Sequence, residues 1–215
     1  MLKVCKFGGS SVAGAEQFRK VRDIVLSDPS RRVVVISAAG KRTNDDHKLT
    51  DLLYLCHAHL TYGVSCADIL AAIRSRFVSI RDELGLSYRV EDEFDAYAAT
   101  LSRDTSVDEL VSRGEYFTAR LMAETLGYAF VDAADCVFFG FDGQFDRART
   151  DAATMKFVVT GTSGVSSCRM SLAGVIGYDP RNTGSPVTWR VRVTSRSAAS
   201  PTVARVPVTP MVEAA

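Results

Sequence analysis

Residues 3–12 read Lys-Val-Cys-Lys-Phe-Gly-Gly-Ser-Ser-Val, and this stretch decides the fold. Its alternating and β-branched residues predict a short strand that carries Lys6 to its carboxyl end. Two glycines then turn the chain, and two serines precede an amphipathic helix. Glycine permits a positive φ and a close approach of the backbone to an anion, and the start of a helix favours negative charge. The stretch therefore predicts a site for a phosphate-bearing ligand, with a plain strand-to-helix turn as the alternative.

A second strand is predicted over residues 32–37, because four consecutive β-branched residues there are typical of a strand buried on both faces. Residues 15–26 lie between the two strands and have the apolar spacing of a helix that covers a sheet. Two strands joined in this way form a parallel pair, and such sheets bind ligands beyond the carboxyl ends of their strands. We therefore expect Lys6 and the glycines to face the same crevice as Ser37 and Gly40.

Helical spacing continues over residues 49–59, 65–84, 90–101 and 107–126, and residues 127–133 indicate a third strand that ends in an acid. The last of these helices contains Gly114. Glycine inside a helix costs about 1 kcal/mol relative to alanine. This cost predicts a close approach at Gly114, by another backbone or by a ligand.

Composition excludes several classes of function. The 215 residues carry a formal net charge of +1, which does not indicate nucleic acid as a partner. The five cysteines are scattered without a Cys-x-x-Cys pair, as suits a reducing cytoplasm. The run Cys56-His57-Ala58-His59 is interpreted as structural, since adjacent helix positions diverge, so no metal site is predicted. Without an apolar run long enough to cross a bilayer, the sequence favours a cytoplasmic protein that does not bind membranes.

The sequence changes character beyond residue 154. Serine, threonine, arginine, valine and proline dominate there, acidic residues almost vanish, and no helical period is visible. We therefore divide the chain into residues 1–153, a folded part, and residues 154–215, an atypical tail that is either β-rich or disordered. No chemistry is assigned to the tail.

Four stretches in the folded part resemble the amino-terminal part of the aspartokinases, which belong to the amino acid kinase superfamily. They are residues 6–12 (Lys-Phe-Gly-Gly-Ser-Ser-Val), 33–38 followed by Thr43-Asn44, 112–115 (Ser-Arg-Gly-Glu) and 131–133 (Val-Asp-Ala). The resemblance implies a three-layer α/β/α fold with a mainly parallel sheet that is incomplete at the carboxyl-terminal end.

The resemblance also implies site residues. The residues that match the loop for the ATP phosphates are Lys6, Phe7, Gly8, Gly9 and Ser10, and Lys6 is the catalytic residue that stabilises charge on the transferring phosphoryl group. Those assigned to aspartate are Ser37, Thr43 and Glu115, of which Ser37 is assigned by its position. The role of Arg113 is left open between the site and a structural ion pair.

The activity implied by the resemblance is transfer of the γ-phosphoryl group of MgATP to the side-chain carboxylate of L-aspartate. This reaction gives 4-phospho-L-aspartate and is the first step toward lysine, threonine and methionine. ATP and Mg²⁺ are the implied cofactors, L-aspartate is the implied partner, and an intact chain is expected to form a homo-oligomer.

The chain departs from the family after its folded part. The resemblance predicts a Ser/Thr-Arg-Gly-Gly-Ser-Asp segment, a nucleotide-gripping region and paired ACT domains, and none is legible here. A frame slip near Thr150 is our hypothesis for this departure, and it predicts the missing motif in another reading frame. Three interpretations stay open. The chain is an aspartate kinase, either active or inactive as this fragment; it is a non-catalytic module for nucleotide binding or subunit interaction; or it is another amino acid kinase.

Overall fold

The computed structural model describes residues 3–160 and 170–173, which include a four-stranded sheet. The strands follow the order β1-β2-β4-β3 across the sheet, and each described pairing is parallel. Their bounds are Lys3–Phe7 (β1), Arg31–Ile36 (β2), Ala129–Val131 (β3) and Met170–Ala173 (β4). The predicted parallel pair of the first two strands is confirmed.

The pairing register aligns the carboxyl ends of β1 and β2. Phe7 pairs with Ile36, so the segments that follow both strands leave the sheet at the same edge. Leu172 of β4 pairs with Val35 on one side and with Val131 on the other. The strand that comes last in the chain therefore lies between two earlier strands.

Six α-helices lie among the described residues. Their bounds are Ala15–Leu26 (α1), Leu49–Tyr62 (α2), Ala67–Leu84 (α3), Val90–Ala98 (α4), Val107–Leu126 (α5) and Arg147–Thr160 (α6). Gly127 has a φ of 65° and ends α5 as a left-handed cap, a conformation that glycine adopts without steric cost. The third strand therefore begins at Ala129, two residues later than residue 127, where the sequence predicted it.

Helices cover both faces of the sheet. Val34 and Ile36 are fully buried in the main core, which α1 to α5 share. Val33 points to the opposite face and packs in a second cluster with Val131 and with Ala153 of α6. This alternation is the two-residue period of a strand with both faces buried. The predicted three-layer α/β/α architecture is confirmed.

The centre of the main core is a group of three aromatic rings. Phe117 of α5 lies 5.4 Å, between ring centroids, from Phe77 of α3 and the same distance from Phe94 of α4. Each ring is at least 98% buried. These contacts join α3, α4 and α5 in the main core.

Two elements extend beyond residue 154. Helix α6 continues to Thr160 and β4 lies at residues 170–173, so the expectation of no helix in this region is wrong. Side-chain spacing did not reveal α6, because its apolar residues do not form a clear stripe. The rest of the predicted tail, residues 161–169 and 174–215, lies outside the described residues, and the domain boundary and frame slip stay predictions. Among the described helices, none combines the length and apolarity needed to cross a bilayer.

Candidate active site

The glycine turn after β1 has a different geometry from the one predicted. Gly8 has a φ of −78°, and Gly9 is not among the described glycines with positive φ. Gly9–Val12 forms a single 3-10 turn, and α1 begins only at Ala15. The two glycines therefore do not use the positive φ angles that glycine permits, and the serines lie in this turn, not directly before α1.

The glycines are needed because two backbones meet. The Gly40 amide donates a hydrogen bond of 2.8 Å to the Gly9 carbonyl, and the Ser37 amide donates one of 3.1 Å to the Phe7 carbonyl. A Cβ atom on Gly40 would lie 2.6 Å from the Gly9 carbonyl carbon and oxygen, and one on Gly9 would lie 2.8 Å from the Ala38 carbonyl oxygen. The predicted shared crevice of the two strand ends is thus a direct backbone junction.

Lys6 is the penultimate residue of β1, and its side chain reaches this junction. Its side chain is exposed, and it forms no ion pair with any residue that the structure describes. The Nζ atom lies 3.6 Å from the position that a Cβ atom on Gly8 would take, so the ammonium group hangs over the glycine turn. An unpaired cation beside exposed backbone is suited to an anionic ligand.

Glu115 approaches the junction from α5. Burial raises the pKa of its carboxyl, while a hydrogen bond from the Ala38 backbone amide partly opposes that shift. The Ala38 amide immediately follows Ser37 in the segment after β2. A half-buried carboxylate without an ion-pair partner among residues 3–154 can bind a cationic group.

Helix α5 touches the segment after β2 at two further residues. A Cβ atom on Gly114 would lie 3.0 Å from the Ala38 Cβ and 3.1 Å from Leu53 Cδ1. The Thr118 hydroxyl accepts a hydrogen bond of 3.2 Å from the Ala39 amide and donates one of 2.7 Å to the Gly114 carbonyl. The predicted close approach at Gly114 is confirmed, whereas nothing in the sequence pattern singled out the fully buried Thr118.

The remaining candidate residues differ in position. Ser10 is exposed in the 3-10 turn, and Ser37 is half-buried beside Phe7. Thr43 is exposed in the loop that follows Gly40, where its carbonyl accepts a hydrogen bond of 3.2 Å from the Asp46 amide. The structure therefore brings together Lys6, the glycine turn, Ser37 and Glu115, but it leaves Thr43 out in the loop.

Arg113 and the histidine run have structural contacts. The Arg113 guanidinium lies over the rings of Tyr116, at 4.9 Å, and Tyr97, at 5.5 Å. His59 Nδ1 lies 2.7 Å from the Ser65 carbonyl oxygen. Within the described part of the chain, no group of three histidine, cysteine, aspartate or glutamate residues is arranged to hold a metal ion.

Comparison with known families agrees with this geometry. The model of the Amino acid kinase family matches residues 1–164, which include the glycine turn, the segment after β2 and all of α5. The chain belongs to this family. The sequence had suggested this superfamily from four short stretches, and the match extends over most of the chain.

Within the amino acid kinase family, the chain is similar to aspartokinases. It is 37% identical to aspartokinase 3 of Bacillus subtilis over 138 residues, which cover 61% of this chain and 30% of that protein. The aspartate kinase structure of Clostridium acetobutylicum aligns with a TM-score of 0.73 and 36% identity, covering 80% of this chain and 38% of that one. Aspartokinase III of Escherichia coli, solved in complex with aspartate and ADP, aligns with a TM-score of 0.60 and 27% identity. This alignment covers 74% of this chain and 38% of that one.

These alignments confirm the resemblance to the amino-terminal part of the aspartokinases. The chain spans about a third of the length of the relatives that it matches. The described site therefore corresponds to one part of a longer relative.

Proposed function

We propose that this chain carries the amino-terminal part of an aspartate kinase site, which transfers the γ-phosphoryl group of MgATP to the side-chain carboxylate of L-aspartate. The observation that carries the proposal is the junction of Gly9 with Gly40, which has a free lysine on one side and a half-buried glutamate on the other. A cation for phosphate and an anion for an ammonium group are the two charges that this pair of substrates requires.

Lys6 is proposed as the residue that neutralises charge on the transferring phosphoryl group. Phosphoryl transfer depends mainly on positioning and electrostatic stabilisation, so a lysine and backbone amides suffice without a covalent nucleophile. We place the nucleotide phosphates along residues 6–10, where Gly8 has no side chain to keep a ligand away from the backbone and from Lys6. We propose that Mg²⁺ arrives bound to ATP. Proteins commonly hold Mg²⁺ by one or two carboxylates together with substrate phosphates.

Glu115 is proposed to bind the ammonium group of aspartate. Its carboxyl is desolvated, and an arriving ammonium group would favour the ionised form and so reverse part of the pKa increase. Ser37 lies beside the junction, and Thr43 would reach the substrate from the loop after Gly40. Binding of aspartate and ADP by the Escherichia coli relative supports this pair of ligands.

The test is an aspartyl-hydroxamate assay on the purified chain with MgATP. Turnover should require aspartate and should fall by about a hundredfold or more in Lys6→Ala, in line with the loss of one charge-stabilising group. Lys20→Ala is the matched control, since Lys20 is an exposed lysine paired with Glu16 at 2.7 Å. Its turnover should equal that of the unaltered chain.

Other outcomes separate the alternatives. Turnover with glutamate in preference to aspartate would favour another amino acid kinase. Calorimetric binding of MgADP without any turnover, from a chain whose circular dichroism shows folded helices, would favour the non-catalytic nucleotide-binding or subunit-interaction module. Equal turnover in Lys6→Ala and Lys20→Ala would contradict the role of Lys6.

A further inference from the structure

Arg76 is a buried arginine to which the sequence assigned no role. It lies on α3, and only 3% of its side chain is exposed. Arginine is rarely buried to this extent unless its charge is paired and its N–H groups are bonded. The partners of Arg76 therefore indicate what the burial achieves.

The Arg76 guanidinium contacts the loop of residues 40–48 at both of its ends. One terminal nitrogen, Nη1, donates a hydrogen bond of 2.7 Å to the His47 carbonyl, and the other, Nη2, donates to the Gly40 carbonyl. Nη2 also lies 3.3 Å from a carboxylate oxygen of Asp46. The planar, multidentate guanidinium thus joins the start of the loop to its end, which a lysine ammonium cannot do with the same geometry.

Asp46 extends this network into the middle of the loop. Its carboxylate accepts hydrogen bonds from the Arg42 backbone amide, at 3.0 Å, and from Arg42 Nε, at 2.9 Å. Its own amide donates to the Thr43 carbonyl at 3.2 Å. The side-chain hydrogen bond from Arg42 is the main reason that the pKa of Asp46 lies well below its usual range. Thr43 is exposed, but it lies in a stretch whose backbone is held by Asp46 and, through Asp46, by Arg76.

Gly40 links this network to the glycine turn. Its carbonyl accepts from Arg76, and its amide donates to the Gly9 carbonyl, so α3 and the 3-10 turn after β1 hold the same residue from two directions. We propose that Arg76 is a positioning residue that orders the 40–48 loop before the substrate arrives and so sets the affinity for aspartate. The part that concerns aspartate rests on the function proposed above.

Hydrogen–deuterium exchange and calorimetry on the Arg76→Lys variant test the proposal. Lysine keeps the charge but cannot bond both loop ends and Asp46 in one plane. Exchange at the amides of residues 40–48 should rise about tenfold, and the affinity for aspartate should fall about tenfold, as expected when bonds to a charged group are lost. The affinity for MgADP should change less than about twofold, because Gly9 still holds Gly40.

Arg74→Lys is the matched control. Arg74 lies on the same helix, but it forms an exposed, two-oxygen ion pair with Asp95, at 2.8 to 3.0 Å, away from the loop. The Arg74→Lys variant should match the unaltered chain in hydrogen–deuterium exchange and in its affinities for aspartate and MgADP. A second variant, Asp46→Asn, keeps the bonds of Arg76 to Gly40 and His47 and should raise exchange mainly at residues 42–46.

Three results would decide against the proposal. They are unchanged exchange over residues 40–48 in Arg76→Lys, the same increase in Arg74→Lys, and equal losses of affinity for aspartate and MgADP. If Arg76→Lys exchanges everywhere because it does not fold, Asp46→Asn decides, and unchanged exchange over residues 42–46 or equal losses of affinity for aspartate and MgADP would then contradict the proposal. Lack of aspartate binding by the unaltered chain would overturn the proposed function, whereas loop exchange would still show whether Arg76 orders the loop.

Discussion

Glu115 should make the free energy of unfolding depend on pH. Because burial raises the pKa of its carboxyl in the folded state, the folded chain binds more protons than the unfolded chain above about pH 4. The free energy of unfolding should therefore fall as the pH rises through the folded pKa. Glu115→Gln removes this loss and keeps an oxygen to accept from the Ala38 amide. We expect urea denaturation to show the variant gaining stability relative to the unaltered chain between pH 4 and pH 7.

Glu16→Gln should change the pH dependence of stability in the opposite direction. The hydrogen bond from Lys20 lowers the pKa of the exposed Glu16, so its contribution is present above the unfolded pKa and is lost in acid. The difference between this variant and the unaltered chain should be small and should run against that of Glu115→Gln. If Glu115→Gln lost stability relative to the unaltered chain as the pH rises, burial would not be raising the pKa of the Glu115 carboxyl.

Gly40 should not tolerate a single added methyl group. In Gly40→Ala the new Cβ would lie 2.6 Å from backbone atoms of Gly9, which cannot rotate away. Such overpacking typically costs about 1 to 3 kcal/mol of the free energy of unfolding. Gly8→Ala is the control, since its Cβ would meet only the flexible end of Lys6 at 3.6 Å. Equal midpoints for the two variants in urea denaturation would contradict the tight junction.

At the scale of elements, α5 links the core to the site. Its Phe117 ring fills the centre of the core, and its next residue, Thr118, holds the Ala39 amide. Phe117→Ala should lower the free energy of unfolding by about 3 to 5 kcal/mol, the usual cost of truncating a buried phenylalanine. Phe141→Ala is the matched control, because Phe141 is fully exposed. Comparable losses in thermal or urea unfolding would show that the aromatic group does not anchor α5.

The elements differ in how well local sequence predicted them. The bounds of α1 and α5 agree with the prediction, because both helices show a regular apolar stripe and end at clear signals such as Gly127. Strand β4 has four residues, and it is a strand because β2 and β3 pair with it on both sides. Pairing partners far away in the chain determine such a strand, so its own residues do not reveal it.

The site was predictable to the extent that it depends on short stretches of sequence. Lys6 and Ser37 come from separate stretches, and the order of the strands implied that they share a crevice, whereas Glu115 was assigned from the family resemblance. Arg76 and Thr118 were missed, since their partners lie 29 or more residues away and their own surroundings are ordinary helix sequence. The sequence placed Gly9 and Gly40 at one crevice, but the backbone contact between them becomes visible only in three dimensions.

Taken as a whole, the described residues contain a sheet with helices on both faces and a candidate site at the carboxyl ends of two strands. The family match and the main core cover this region, and the match takes up only 30% to 38% of the length of the relatives. The division at residues 153 and 154 stays a prediction, although α6 crosses it without interruption.

The strand order also has a consequence for synthesis on the ribosome. Strands β2 and β3 cannot join the same sheet until β4, about forty residues after β3, has been translated, a delay of roughly two to eight seconds at usual elongation rates. During that interval both strands present unpaired backbone groups, which can pair with other nascent chains. Chaperones that cover strand edges should therefore influence the yield of this protein more than that of a sheet assembled in chain order.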